Sequence, residues 1–194
     1  LDKPTAVRMH KLVMKYWPVY LKELEGRIKN AADQQEAQEL QRKYDKVAET
    51  EVCVVVSGEQ NEVDKFRKMD LDIEVHRKKM VERNLEKEFK DEDNPFRFAI
   101  VCAMWITGFD APCVSTVYLD KPIKGHTLMQ TIARANRVYD DEKENGLIVD
   151  YGNVYEQLEK AYSIYGEGTK SQSGGKGEGK PVEQLAELEG ELKK

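Results

Sequence analysis

The sequence predicts an α/β fold with a mainly parallel sheet flanked by helices, and its apolar runs are the main observation behind that prediction. Charged stretches with helical periodicity, at 62–69 and 73–90, separate short runs rich in β-branched residues. Such runs are typical of buried parallel strands, and their alternation with helices favours a layered α/β domain. The four predicted strands are CVVVS (53–57), FAIVCA (98–103), STVYL (115–119) and GLIVDY (146–151).

The first fifty residues predict helices. Asp2, Lys3 and Pro4 resemble a helix start, with a capping aspartate and a proline in the first turn. Pro18 is expected to kink or break this helix. Thin apolar stripes in the charged segment 20–50 predict a helical hairpin. We interpret it as a surface insertion without chemistry, and the alternative is an arm that docks on a partner.

Composition limits the classes of function. A net charge of −5 over 194 residues cannot coat nucleic acid, so any contact with DNA requires a local patch. Cys53, Cys102 and Cys113 are too few and too widely spaced for a disulfide framework, and the scattered histidines argue against zinc. The sequence has neither a long apolar run nor a signal-peptide pattern. We therefore expect no membrane contact and a reducing, cytoplasmic setting.

The C-terminal residues differ from the rest. Residues 166–180, GEGTKSQSGGKGEGK, predict a flexible linker because they are rich in Gly, Ser and Lys and have no apolar anchor. Residues 181–194 predict one short helix, too short to be stable alone, which is expected to begin a following helical domain. Residues 1–165 then form the main domain.

The segment QTIARANR (130–137) is the first candidate site. At about 100° per residue, Gln130, Arg134 and Arg137 project from one side of a short helix. Guanidinium groups bind phosphate oxygens bidentately, so this side suits the phosphates of a nucleotide or of DNA. A solvated row of charge is the alternative. The residues predicted to pack on the opposite side are Leu128, Ile132 and Ala135.

The segment MWITGFDAP (104–112) is the second candidate site, because it follows a predicted strand. Ligands of α/β sheets collect at the carboxyl ends of strands. Gly108 permits a tight turn, Pro112 stiffens the exit, and Asp110 presents a carboxylate at the tip. An ordinary turn between strands is the alternative.

Taken in order, these segments resemble motifs V and VI of superfamily 2 helicases and translocases. Within that superfamily they are similar to the motor of type I restriction enzyme R subunits, and the likeness covers about residues 2–165. The stretches that carry it are ITGFDAP (106–112), VYLDKPIKGHTLMQTIARANRV (117–138) and GLIVDYGNV (146–154), supported by VVVSGEQNEVDKF (54–66) and DKPTAVRMHKL (2–12).

This resemblance implies that residues 1–165 are a second RecA-like motor domain, with the hairpin at 20–50 as an insertion. Arg134 and Arg137 match the two arginines of motif VI and are expected to act as arginine fingers on the γ-phosphate of ATP. Gln130 matches the motif VI glutamine, near the phosphates or the attacking water. Effects of such fingers on rate reach about 10³–10⁵-fold in related enzymes.

The resemblance also assigns roles in motif V. Gly108 and Asp110 match positions that approach the ribose of ATP and couple its state to the grip on DNA. Thr107 is a candidate contact to a DNA phosphate.

The sequence contains no GxxxxGK[ST] loop and no acidic Walker B box, both of which belong to the first motor domain in this family. We therefore expect a fragment of a longer protein, inactive alone and without a cofactor of its own, whose ATP and Mg²⁺ are held mainly by that first domain. Expected partners are double-stranded DNA, the first motor and nuclease domains of the same chain, and the methyltransferase and specificity subunits. The alternatives are a second motor domain of another superfamily 2 helicase or remodeller, and a non-catalytic nucleic-acid-binding module.

Overall fold

The structure is a computed structural model that describes residues 2–102, 104–105, 109–121, 125–135 and 146–151. The chain divides into two compact units, with the boundary between Cys113 and Val114. The linker predicted at 166–180 and the helix predicted at 181–194 lie outside the described residues. The elements of the first unit are α1 (Lys3–Lys29), α2 (Gln34–Glu49), β1 (Glu51–Val55), α3 (Glu62–Arg67), α4 (Glu74–Glu82), α5 (Leu85–Phe89) and β2 (Phe96–Val101). Those described in the second are β3 (Thr116–Leu119), α6 (Gly125–Ala135) and β4 (Leu147–Asp150).

All four predicted strands are confirmed, with bounds shifted by one or two residues. Strand β1 pairs with β2 in parallel, and Val54 lies opposite Ile100. Strand β3 pairs with β4, also in parallel, and Val117 lies opposite Ile148. The predicted α/β class with parallel strand pairing is therefore confirmed.

Strand β1 is buried on both faces, as its continuous apolar run predicts. On one face Val52, Val54 and Val56 pack with apolar residues of the flanking helices and β2. On the other face Cys53 and Val55 pack with a separate apolar cluster. The partners on the first face are Ala6, Val7, Phe66, Ile73 and Ile100. Those on the second are Leu85 and Phe96.

The predicted helix start at Asp2 is confirmed, because its carboxylate accepts a hydrogen bond of 2.8 Å from the backbone N–H of Thr5. Of the two outcomes predicted at Pro18, a break does not occur, and a kink stays a prediction. Helix α1 continues through Pro18 to Lys29, so the first arm of the hairpin begins at Lys3 rather than near residue 20. Packing against α2 offsets the lost backbone bond, because the indole Nε1 of Trp17, beside the proline, donates to Val47 O at 3.2 Å.

The helical character predicted for 73–90 is confirmed, and two helices, α4 and α5, occupy this range. Arg83 is extended between them, at φ −122° and ψ 150°. Asn84 then caps α5, its side-chain oxygen accepting from the N–H of Lys87 at 3.0 Å. Asparagine competes with helical backbone bonds in this way, which favours a new helix start.

No helix within the described ranges has both the length and the apolar character needed to cross a bilayer.

Candidate functional site

Helix α6, which carries most of QTIARANR, is held in place by its apolar side. Leu128 is completely buried, and Ile132 and Ala135 are nearly so. Leu128 and Ile132 pack on Leu119 of β3 in a cluster that also includes Val117 and Ile148. The predicted packing side of this helix is therefore confirmed.

The opposite side of α6 is at the surface. Gln130 and Ala133 are exposed, as is Thr127 one turn earlier. Arg134 belongs to α6 and follows Gln130 by four residues, whereas Arg137 lies outside the described residues. Of the three polar residues predicted to share a side, the structure thus establishes the exposed position of Gln130.

Gly146 lies directly against Ala135 of α6, a contact that periodicity in the sequence did not reveal. A Cβ atom at Gly146 would lie 2.1 Å from the backbone oxygen of Ala135, the last residue of α6, and 2.3 Å from its carbonyl carbon. No side chain fits so close a contact. Glycine therefore lets the chain entering β4 pass directly against the end of the helix.

The segment after β2 holds Asp110 at the surface by burying its neighbours. Phe109 and Ala111 are buried, whereas Asp110 between them is exposed. Asp110 is therefore exposed, and the role predicted for its carboxylate stays a prediction. Thr107 and Gly108 lie outside the described residues.

An aromatic cluster supports this segment. Trp105 stacks on Phe109, with ring centroids 4.2 Å apart and planes 8° from parallel. Trp105 has φ 65°, in the left-handed region that bulky residues rarely adopt, so the backbone is strained there. The ammonium group of Lys90 lies 4.9 Å from the centroid of Phe109, and Phe89 contacts both stacked rings. These contacts stabilise the strained turn beside Asp110.

A partly buried ion pair lies at the carboxyl end of β1. The guanidinium of Arg77 donates to both carboxylate oxygens of Glu62, from Nε at 2.7 Å and from Nη2 at 2.8 Å. It also donates to the backbone oxygens of Val56 and Ser57, at 3.0 and 3.2 Å. Arg77 thereby joins α4, α3 and the loop after β1. Sequence reasoning missed it because the pair is separated by fifteen residues of charged sequence.

A second ion-pair network holds the amino end of β1. Arg83 donates from Nη1 and Nη2 to the two oxygens of Glu51, both at 2.7 Å, and also to Glu88. Lys79 donates to Glu51 at 2.7 Å. The hydrogen bonds from Arg83 are the main reason that the pKa of Glu51 falls to about 2. They likewise raise the pKa of Arg83.

Neither metal ligands nor disulfides form a site in the described parts of the chain. No three His, Cys, Asp or Glu side chains converge there as a metal site would require. Cys53 is buried and Cys102 and Cys113 are half-buried, all three as free thiols. Burial raises the pKa of the Cys53 thiol to about 11, so this thiol stays protonated at neutral pH.

Parallel strand pairs flanked by helices place both units in the α/β class. Over residues 11–153 the sequence matches the family described as type I restriction enzyme subunit R domain 3, and the chain belongs to that family. The resemblance to type I restriction enzyme R subunits is thereby confirmed.

Similar proteins carry consistent names. The chain is 42% identical, over 62% of its length, to the type I restriction enzyme HindI endonuclease subunit of Haemophilus influenzae. It is 45% identical over 59% and 38% identical over 72% of its length to the putative MjaIXP and MjaVIIP endonuclease subunits of Methanocaldococcus jannaschii. The matched regions make up only 10–13% of these relatives.

Proposed function

We propose that this chain is the second RecA-like motor domain of a type I restriction enzyme R subunit, and that it forms half of an ATP-driven translocase of double-stranded DNA. In this proposal residues 1–165 form the motor domain and the hairpin of α1 and α2 is an insertion in it. The full protein works in the cytoplasm with methyltransferase and specificity subunits and carries its own nuclease domain.

The observation that carries the proposal is the arrangement of α6. An apolar side fixed on β3 leaves Gln130 at the surface, within a segment whose sequence matches motif VI. A rigid helix can aim charged groups with little loss of side-chain entropy at the moment of binding. Gln130 would orient the attacking water, while Arg134 and Arg137 would stabilise the negative charge that develops on the transferred phosphoryl group.

The turn after β2 contributes separately. Gly108 and Asp110 would approach the ribose of ATP, and Thr107 would contact a DNA phosphate. The burial of Phe109 and Ala111 on either side of an exposed Asp110 supports this assignment. The first motor domain would supply most of the contacts to ATP and its Mg²⁺, so this chain alone is expected to hydrolyse no ATP.

DNA-stimulated ATP hydrolysis by the full-length protein tests the proposal. Arg137→Ala should lower the rate by at least several hundredfold, since arginine fingers contribute about 10³–10⁵-fold. Arg42→Ala removes an exposed arginine of α2 and should leave the rate unchanged. Unchanged hydrolysis with weaker DNA binding in Arg137→Ala would instead assign the arginine to DNA and contradict the proposal.

A further inference from the structure

The solvent side of α1 carries a row of cations that the proposed function does not use. This helix contains seven lysines and arginines but only two glutamates, although the whole chain is acidic, with a net charge of −5. At about 100° per residue, five of the cations project within roughly 60° of one another, and all five are exposed. This α1 basic row consists of Arg8, Lys11, Lys15, Lys22 and Lys29.

The row is long and regular. Arg8, Lys15, Lys22 and Lys29 recur every seven residues, which is about 10.5 Å along a helix. From Arg8 to Lys29 the row extends about 32 Å. That length is close to one turn of B-DNA, about 34 Å.

Internal carboxylates neutralise little of this charge. Glu25 is one of the two acids of α1. Its carboxylate accepts a hydrogen bond of 3.0 Å from the hydroxyl of Tyr44 in α2, so it contacts α2 and not the row. Lys11 lies 3.7 Å from Asp70, but both side chains are highly exposed, so their attraction is weak. Among the described residues, the other four cations of the row lie within ion-pair distance of no carboxylate. The row therefore retains its charge for an external anion.

Exposed apolar groups border the row. Leu12, Tyr16 and Val19 project beside it, each about half exposed or more. The ammonium group of Lys15 lies 5.4 Å from the centroid of the Tyr16 ring. Cations along one helix face, with apolar groups that can lie against sugars, suit a nucleic-acid backbone.

We propose that the α1 basic row binds the phosphate backbone of double-stranded DNA. Charge complementarity over the length of a helical turn carries the inference, and the choice of duplex DNA as the polyanion rests on the proposed function. Contacts to phosphates carry no sequence information. The row would therefore grip any stretch of duplex, as a motor that moves along DNA requires.

Salt-dependent binding of the full-length protein to a duplex several turns long tests this inference. The triple variant Arg8→Gln, Lys15→Gln and Lys22→Gln should bind about tenfold or more weakly at about 50 mM salt. The slope of log K against log salt should become shallower by up to about 2.7, since each phosphate contact contributes about 0.9. A matched triple variant elsewhere on the first unit, Lys46→Gln, Lys68→Gln and Lys87→Gln, should keep the parent slope.

Lysine acetylation of the unmodified full-length protein gives a second measurement that requires no substitution. Duplex DNA should protect Lys15, Lys22 and Lys29 from acetylation and leave Lys68 and Lys87 reactive. Equal slopes for the two triple variants, or equal reactivity with and without DNA, would overturn the inference. So would protection by the other subunits or by anionic vesicles in place of DNA.

The outcomes separate this inference from the proposed function. If the parent shows DNA-stimulated hydrolysis but the two triple variants bind alike, the motor assignment stands and the basic row fails. If hydrolysis is independent of DNA and of Arg137 while the first triple variant loses DNA binding, the row stands and the motor assignment fails.

Discussion

Helix α6 and strand β1 are both fixed in place, but by different interactions. An apolar side and the close approach of Gly146 position α6, and its polar residue Gln130 stays at the surface. Strand β1 is apolar on both faces and is held at its two ends by ion pairs, through Arg83 and Arg77. The arginines around β1 are therefore bound internally, whereas in the described residues apolar packing holds α6 with Gln130 exposed.

The largest expected effect in this comparison comes from packing, at Gly146. Gly146→Ala would force apart two backbone segments, because its Cβ would lie 2.1 Å from the oxygen of Ala135. We expect a loss of about 3 kcal/mol in the second unit, as for severe overpacking. Amide hydrogen exchange in α6 should become roughly a hundredfold faster.

Gly26→Ala is the matched control, because no atom lies within 4 Å of a Cβ at Gly26. Alanine favours the interior of α1 by up to about 1 kcal/mol, so this variant should be as stable as the parent or more so. Tryptophan fluorescence follows unfolding of the first unit, since both tryptophans of this chain, Trp17 and Trp105, lie there. Amide exchange in α6 follows the second unit. A Gly146→Ala variant with unchanged exchange in α6 would show that packing does not fix this helix.

The next effect comes from the partly buried ion pair at the carboxyl end of β1. Arg77→Met leaves the Glu62 carboxylate buried without its bidentate partner and removes two bonds to backbone oxygens. Because the Arg77 side chain is 26% exposed, we expect a loss of about 2 kcal/mol, less than for a fully buried pair. Urea unfolding followed by tryptophan fluorescence should show this loss in the first unit, with protection of α6 unchanged.

Two further variants sharpen this result. Arg67→Met removes exposed pairs, to Glu74 at 3.2 Å and to Asp64 at 3.9 Å, and should cost less than about 1 kcal/mol. The double variant Arg77→Met with Glu62→Gln removes the unpaired charge and should recover part of the loss. Equal free energies of unfolding for Arg77→Met and Arg67→Met would show that Arg77 does not stabilise the carboxyl end of β1.

Features that depend on local periodicity, such as strands and the buried side of a helix, were predicted from the sequence. Contacts between residues far apart in the chain were not. Runs of β-branched residues located all four strands, and helical spacing assigned the buried side of α6 correctly. The helix does not break at Pro18, one of the two outcomes predicted there, because tertiary contact with α2 through Trp17 supports the helix at this point. The charged pattern predicted helix over 73–90 but did not locate the boundary between α4 and α5, because a capping asparagine inside a charged run resembles an ordinary helical position.

Candidate site residues divide in the same way. The exposure of Asp110 and Gln130 followed from turn chemistry and helical spacing. Glu62 and Glu51 gave no signal, because their partners lie fifteen and thirty-two residues away along the chain, within segments where most residues are charged. Gly146 also gave no signal in the sequence, since its role depends on contact with the backbone of Ala135, which the fold brings close.

The smallest effect concerns the amino end of β1 and depends on pH. Hydrogen bonds from Arg83 lower the pKa of Glu51 from 4.5 to about 2 in the folded protein. The stabilisation from this carboxylate is therefore complete above about pH 4.5 and is lost as the pH falls towards 2. Because Glu51 is partly exposed, we expect Glu51→Gln to lose only about 1–2 kcal/mol at pH 7.

Urea unfolding by tryptophan fluorescence between pH 7 and pH 2 measures that loss. The difference between Glu51→Gln and the parent should shrink below pH 4.5, since the parent then loses the same charge on protonation. Glu82→Gln, which removes an exposed pair to Lys78 at 3.9 Å, should change stability by less than about 0.5 kcal/mol. If the difference in free energy of unfolding between Glu51→Gln and the parent stays constant from pH 7 to pH 2, Glu51 acts through its size or packing and not through its charge. The amino end of β1 would then be held by packing, as α6 is.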